Sequence, residues 1–369
     1  MDEMGNESQG GSSVGDELQH LKRVSRVKHI ILEKYFPPWA RILGSRNRQL
    51  AYVDCFAGPG QYEMEGKPVE GSPIIAVKEA TKLVHSGQVQ SLLLYLVDDD
   101  LQQVKRLEAR LKSLQPHSRN LTVEVRCADS RSIVPNLLQS LPQQVPAFFL
   151  IDPYGHPLSL PVIRQIQRRQ QTEVLINLMW FQINRDLNNP KAEPRLNELF
   201  GDSDWHNQPF MGMRGSEREK AFLTYFKTQL AFTYVLPFRI RYDIEDSTGG
   251  RRTKYYLLHA SNHIKAALLM KDVMWPLGDE EGTFDYSGED QGVLISQTPT
   301  VNELRDILLR KFGGREVTFD EIREQTWTLP FMEKHYRAVI RSMEGKEIMI
   351  HRVTSMKTGI GGADRIHFR

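Results

Sequence analysis

An open α/β sheet of mostly parallel strands, joined to a small domain of three helices and a hairpin, is the fold class this sequence predicts. Three observations carry that expectation. From residue 50 onward, short near-continuous apolar runs alternate with helix-patterned segments, as parallel strands covered on both faces do. The first run, residues 51–54, ends on Asp54 and turns sharply through Cys55, Phe56, Ala57, Gly58, Pro59 and Gly60. Beyond residue 298 the alternation stops, and three helical segments lead to two β-like runs around Gly359 and Gly362.

The elements follow in order. Residues 1–16, rich in Gly, Ser and acids, read as a disordered tail. Residues 17–44 read as a helix, with Leu21, Val24, Val27, Ile31, Leu32 and Tyr35 near helical spacing until Pro37 and Pro38 stop the pattern. Lys22, Arg23, Arg26, Lys28 and Lys34 make this helix basic, either as a solvated face or as a surface that tracks phosphates. Strands are expected at 51–54, 91–97, 121–128, 147–151 and 174–179, with helices at 73–84, 101–114, 130–141 and 160–168 between them. The insert 185–232, rich in Arg, Asn, Trp and Phe, reads as helices and loops over the open edge of the site. Residues 234–242 and 253–260 are β-rich and suit antiparallel pairing at the end of the sheet. Thus 17–275 form one α/β domain and 276–297, rich in Gly and acids, a linker.

In 298–369, helices are expected at 301–312, 318–326 and 336–344, and a terminal hairpin pairs 348–353 with 365–368. This is the pattern of a winged helix-turn-helix, whose third helix enters the major groove in DNA-binding examples and which serves elsewhere as a protein-interaction module. With 13 Lys/Arg against 10 Asp/Glu from residue 301 on, charge does not choose between those uses. Arg337 and Arg341 on the third helix are the candidate nucleic-acid contacts.

Net charge of +2 over 369 residues gives no global electrostatic footprint, so any nucleic-acid contact must come from a local patch. The two cysteines, Cys55 and Cys127, lie in apolar strand-like runs and read as buried thiols in a reducing compartment. No apolar stretch reaches the length of a membrane span, and the polar N-terminus lacks a signal peptide's apolar region, so a cytoplasmic protein without membrane contact is expected. No His/Cys/Asp spacing fits a metal centre.

The chemistry concentrates at strand ends. Gly58 and Gly60 allow positive φ and close approach to a ligand. Yet the turn is one small residue short of the phosphate-cradling form and carries a proline, which suits an adenosyl ligand better than a dinucleotide. Asp54, Asp98, Asp129 and Asp152 stand at or just beyond the ends of successive expected strands, and such ends line one crevice in a doubly wound sheet. An acid after the second strand suits a ribose, which assigns Asp98, with Asp99 as the alternative. Asp129 suits an adenine amino group. Each acid alone could equally cap a helix. Together they make this the site of a class I methyltransferase, with S-adenosylmethionine (SAM) held by Asp54, Phe56, Ala57, Gly58, Gly60, Asp98 and Asp129.

Asp152-Pro153-Tyr154-Gly155 is the second signal. Enzymes that methylate exocyclic amines carry an Asp/Asn-Pro-Pro-aromatic turn here, whose acceptors take the amine hydrogens while the aromatic stacks on the flipped base. This turn has one proline and its aromatic comes a position early; a Pro turn in which Tyr154 merely packs is the other reading. Lys28-His29 could bring a cation to the rim, and Asn177, Trp180, Asn184 and Arg185 lie where a base or phosphate would be met. Asp152, Pro153, Tyr154 and Lys28 are therefore the candidate catalytic residues, and Lys28, Asn184, Arg185, Arg337 and Arg341 the candidate nucleic-acid contacts.

These motifs resemble a known family. Lys28-His29-Ile30, then Tyr52 to Tyr62, Glu70-Gly71-Ser72-Pro73, Ile151 to Gly155, Leu175-Ile176-Asn177, Ile183-Asn184-Arg185, Glu198-Leu199-Phe200, Tyr255-Tyr256-Leu257 and Ser261-Asn262-His263 look like the bacterial three-Cys-motif partner family, over nearly the whole chain from residue 22. The resemblance implies a methyltransferase-like fold and genomic pairing with a separate Cys-motif protein. The N-terminal part is also similar to the large-subunit rRNA adenine-N6 methyltransferases. That similarity places Lys28 on their Lys-His helix, Asp54, Gly58, Gly60 and Tyr62 in their loop, and Asp152 on their catalytic acid. Position 154 carries Tyr where they have a second proline. The expected function is SAM-dependent methylation of an exocyclic amine of a nucleobase in DNA or RNA; the alternative is a non-catalytic adaptor with a vestigial pocket. Oligomeric state is not legible.

Overall fold

Strand β1 (Gln49–Asp54) is buried along all but its first residue, and the chain before it forms α1 (Arg23–Gly44). The structure, a computed structural model, describes residues 19, 23–114, 118–153, 155, 158–242, 252–278, 285–286, 301–329, 331–353 and 359–369. The expected tail and most of the expected linker lie outside these residues, as does Tyr154. Helix α1 does not stop at Pro37 and Pro38 but runs through both. A proline inside a helix costs about 3 kcal/mol. Here Phe36, Trp39 and Ala40 are buried around the pair, and burying one large apolar side chain returns about 1.5–3 kcal/mol. Packing outweighs the local break.

After β1 the glycine turn leads into a hairpin, β2 (Gln61–Met64) and β3 (Lys67–Glu70), before α2 (Ser72–His85). The sequence reading missed this hairpin. Its turn is Glu65-Gly66, with φ of 53° and 75°, the positive pair that a two-residue type I′ turn requires. Then follow β4 (Ser91–Asp98), α3 (Leu101–Leu114), β5 (Leu121–Cys127), α4 (Ser130–Ser140), β6 (Ala147–Ile151), α5 (Leu160–Gln167) and β7 (Thr172–Leu178). Next come α6 (Trp180–Asp186), which leads into the insert, then α7 (Glu193–Phe200) and α8 (Gly215–Gln229) within it. The sheet closes with β8 (Tyr234–Arg241), β9 (Thr253–Ser261), α9 (Ile264–Met274) and the short β10 (Asp285–Tyr286).

The strand order is β10-β8-β9-β7-β6-β1-β4-β5, with β9 antiparallel to both neighbours and the other pairings parallel. Alternate residues of each strand enter two cores. Leu50, Tyr52, Leu94 and Phe148 pack with α1, α2, α3 and α9, while Ala51, Val53, Phe149 and Ile176 pack with α4 to α8. The chain runs outward from β1 to β4 and β5, then returns to β6 on the other side of β1. Such a reversal opens a crevice at the carboxyl ends of the two central strands. Cys55 is buried as expected, but Cys127 is exposed, because β5 is the sheet's edge strand and its end lacks cover.

The C-terminal segment forms α10 (Val301–Phe312), β11 (Glu316–Thr318), α11 (Phe319–Gln325), α12 (Glu333–Met343), β12 (Ile348–His351) and β13 (Arg365–Phe368). Its sheet has three strands, β11-β13-β12, not the two expected. Leu304, Leu308, Phe312, Ile322, Tyr336, Ile340 and Ile366 share its core.

Candidate active site at the sheet switch point

Asp54 and Asp152 end the two strands that flank the reversal. Between and above them sits the glycine turn. Ala57 N donates to Val97 O at 2.8 Å and Gly58 N to Asp98 Oδ2 at 2.8 Å, so the turn is stitched to the end of β4. Gly58 and Gly60 have φ of 64° and 77°. A Cβ on Gly58 would lie 2.5 Å from the Tyr62 hydroxyl, and one on Gly60 would press on Ile74 and Leu107 at 2.9 Å. The turn is therefore packed tightly by its own hairpin and by α2 and α3. Gly71 N donates to Gly60 O at 2.8 Å and closes the loop.

Asp54 corrects an expectation. Its carboxylate is 0% exposed and accepts from Tyr52 Oη at 3.2 Å, Phe56 N at 3.3 Å and the Ser72 hydroxyl. Burial, opposed by those bonds and reinforced by the charge of Asp152, pushes it up to about 7. It braces the turn from beneath instead of facing a ligand. Asp98 is half-buried and accepts from Gly58 N and, through Oδ1, from Asp100 N at 3.0 Å. Burial raises its pKa, against those two bonds. Each carboxylate oxygen has two lone pairs, so acceptor capacity remains for hydroxyls. Phe56 is half-buried beside it.

Asp129 is the second correction. It caps α4, accepting from Arg131 N at 2.8 Å, and its oxygens also take Arg131 Nε at 3.0 Å and Nη2 at 2.6 Å. The Arg131 side-chain bonds hold its pKa low. With both oxygens engaged by one guanidinium, it is the helix cap that the sequence allowed, not a group aimed at an adenine.

Lys28 and Asp152 are brought together: Nζ lies 2.5 Å from Oδ2, so α1 reaches across the sheet to the end of β6. On the other side Asn177 Nδ2 donates to Asp152 Oδ1 at 2.8 Å. Pro153 is buried directly after it. His29 is buried against Tyr62, with ring centroids 6.0 Å apart. Burial first, then the charges of Lys28 and Arg26, push its pKa well below the usual imidazole range. Tyr62 itself is raised by burial and by the charges of Asp152, Asp54 and Asp98. Sequence reasoning missed Ser72, which bonds Asp54, and the hydroxyl role of Ser130, which donates to Cys55 O. A serine at the first position of each helix was the available signal.

The remaining candidates divide. Asn184 accepts from the buried Arg218 at 3.5 Å and serves the insert's packing. Arg185 is exposed and donates to Gln182 at 2.7 Å. Arg337 does not face outward as a nucleic-acid contact. Its guanidinium lies 4.8 Å from the Phe319 ring centre, donates to Glu333 at 2.8 Å through Nε and reaches Ile360 O, tying α12 to the chain before β13. Arg341 is exposed on the same helix. Among the described residues, no three His, Cys, Asp or Glu side chains cluster as metal ligands, and no helix is long and apolar enough to cross a membrane.

No protein-family model and no curated protein sequence matches the chain. Among solved structures, it is similar to protein LPL1258 from Legionella pneumophila, at 13% identity and a TM-score of 0.38, over 65% of this chain and 85% of that one. It is similar to precorrin-6y C5,15-methyltransferase from Geobacter metallireducens at 13% identity and a TM-score of 0.31, over 68% of this chain and 96% of that one. A third, Trm1 from Pyrococcus horikoshii in complex with S-adenosyl-L-methionine, gives 10% and 0.33, over 76% and 68%. The chain's own strand order, with β9 reversed between β7 and β8, is the seven-stranded mixed sheet typical of class I methyltransferases, extended at its edge by β10.

Proposed function

We propose that the protein is a SAM-dependent methyltransferase acting on an exocyclic amine of a nucleobase in DNA or RNA. The observation that carries this reading is Asp152, set at the switch point beside the glycine turn and oriented from both sides by Lys28 and Asn177. The residues present fit the cofactor. Gly58 and Gly60 turn the backbone sharply at positive φ at the end of β1, and Asp98 keeps acceptor capacity where ribose hydroxyls would lie. When bound, SAM supplies an electrophilic methyl group. Asp152 accepts from the amine and offsets the positive charge that develops on its nitrogen. Lys28 and Asn177 fix the carboxylate's direction, and alignment of amine with methyl provides the rest. Asp152 would hold an amine hydrogen during transfer, and the proton released would leave to solvent.

The test is transfer of labelled methyl from SAM into DNA or RNA, followed by nucleoside mass analysis. Asp152→Ala should lower transfer by about 100-fold or more while leaving SAM affinity unchanged. No calorimetric SAM binding, with Asp98→Ala indistinguishable from wild type, would overturn the reading.

One observation favours a second reading, a non-catalytic adaptor: both oxygens of Asp152 are already engaged within the protein. Methyl transfer that depends on Asp152 would exclude it. In either reading the C-terminal unit is a winged helix-turn-helix, supported by its helix and strand order, and the chain is a cytoplasmic partner of a three-Cys-motif protein, supported by the motifs between Lys28 and His263.

A further inference from the structure

The carboxyl end of β8 and the start of β9 lie on the same sheet edge as Asp152, because β8 runs parallel to β7 and Tyr242 N donates to Arg252 O at 3.0 Å across the turn. At that edge four side chains gather from three elements. Phe181 on α6 is 40% exposed, one of few large apolar side chains left in solvent among the described residues. Its ring meets Tyr242 edge-on at 5.4 Å. Lys254 Nζ stands 5.9 Å from the Tyr242 ring centre and 5.5 Å from that of Tyr255. The exposed Arg185 lies one turn along α6 from Phe181, on the same side of the helix. From the end of β6 to the end of β8 is three strand spacings, about 14 Å.

We infer that this edge is a platform for single-stranded nucleic acid, the nucleotides flanking the target base stacking on Phe181 and Tyr242 while Arg185 and Lys254 meet their phosphates. Cations interleaved with exposed aromatic faces bind single strands with little sequence preference. The proposal rests on the methyltransferase reading above and names the form of its substrate. In the C-terminal unit Arg337 is held by Glu333, Arg352 by Glu344 at 2.8 Å and Arg365 by Glu316 at 3.1 Å.

Fluorescence anisotropy with a labelled 20-nucleotide single-stranded DNA and the same RNA sequence, on the full chain, tests it. Phe181→Ala should weaken binding about fivefold or more, and Phe181→Ala with Lys254→Ala about 30-fold. Arg341→Ala should stay within about twofold of wild type. Phe181 is 40% exposed and its covered part packs on Tyr242, so the thermal midpoint should fall only slightly and the protein should stay folded. Calorimetry with SAM is run on the same variants and should be unchanged, which separates this surface from the cofactor site. Loss on Arg341→Ala but not on Phe181→Ala, equal affinity for duplex and single strand, or no oligonucleotide binding by a protein that binds SAM would each overturn the platform. Only absent SAM binding bears on the underlying reading.

Discussion

Gly58 shows how much of the candidate site rests on one atom. Its φ of 64° is strained for any other residue, and an added Cβ would meet the Tyr62 hydroxyl at 2.5 Å. Gly58→Ala should therefore cost about 2–4 kcal/mol, the sum of a left-handed backbone and an overpacked contact. Tyr62→Phe removes the clashing oxygen, after which no Tyr62 atom lies nearer than 3.6 Å. The double variant should recover the steric part only, and denaturant midpoints of the four proteins give the coupling. Asp54 makes a second prediction at this scale. Its folded pKa is raised from 3.8 to about 7, so between those values the folded state binds more protons than the unfolded. Stability then falls as pH rises across that window, by on the order of 4 kcal/mol. Urea unfolding at pH 4.5 and 7.5 should show this loss, and Asp54→Asn should show a flatter dependence. The same burial explains why sequence misjudged the residue. An acid closing a strand at the switch point is legible, but whether it faces the crevice or its floor depends on Tyr52 and Ser72 packing over it.

At the scale of elements, the long buried strands were legible because apolar runs such as 147–151 leave no alternative to an interior strand. Some short elements were not: β2, β3 and β11 have 4, 4 and 3 residues, whereas β12 and β13, of four each, were marked by the glycines between them. The hairpin could have been found from Glu65-Gly66 alone. Helix α1 failed in the opposite sense, since proline is a local signal and the burial of Phe36 and Trp39 is a tertiary one. Cys127 misled for a related reason: its run is apolar, yet β5 has a neighbour on one side only. In the C-terminal unit, Arg337 links α12 to Ile360 and covers Phe319. Arg337→Ala should lower that unit's stability by about 1–3 kcal/mol through lost packing over Phe319 and an unsatisfied Ile360 carbonyl, measured by hydrogen exchange in α12.

The whole molecule is joined at Lys271, a buried lysine on α9 that no sequence pattern marks. Its Nζ donates to Trp327 O at 2.8 Å and to Leu329 O, so an ammonium from the sheet domain holds the end of the turn after α11. Around it Tyr234 donates to Glu324 at 2.8 Å and packs edge-on against Trp327, while Trp275 meets His335. Burial lowers the Lys271 pKa from 10.5 to about 7. Between these values the unfolded chain binds more protons, so this group's contribution to stability rises with pH from 7 to 10, by up to on the order of 5 kcal/mol. Below 7 the buried charge is present in full and its penalty with it. The neutral amine still carries two N–H bonds, one for each carbonyl, so docking survives deprotonation. Thermal midpoints at pH 7 and 9.5 should thus rise in the wild type relative to Lys271→Met, whose own profile lacks this term. A wild-type midpoint that falls relative to Lys271→Met would mean that the two units are held by the lysine's charge, not by its two hydrogen bonds.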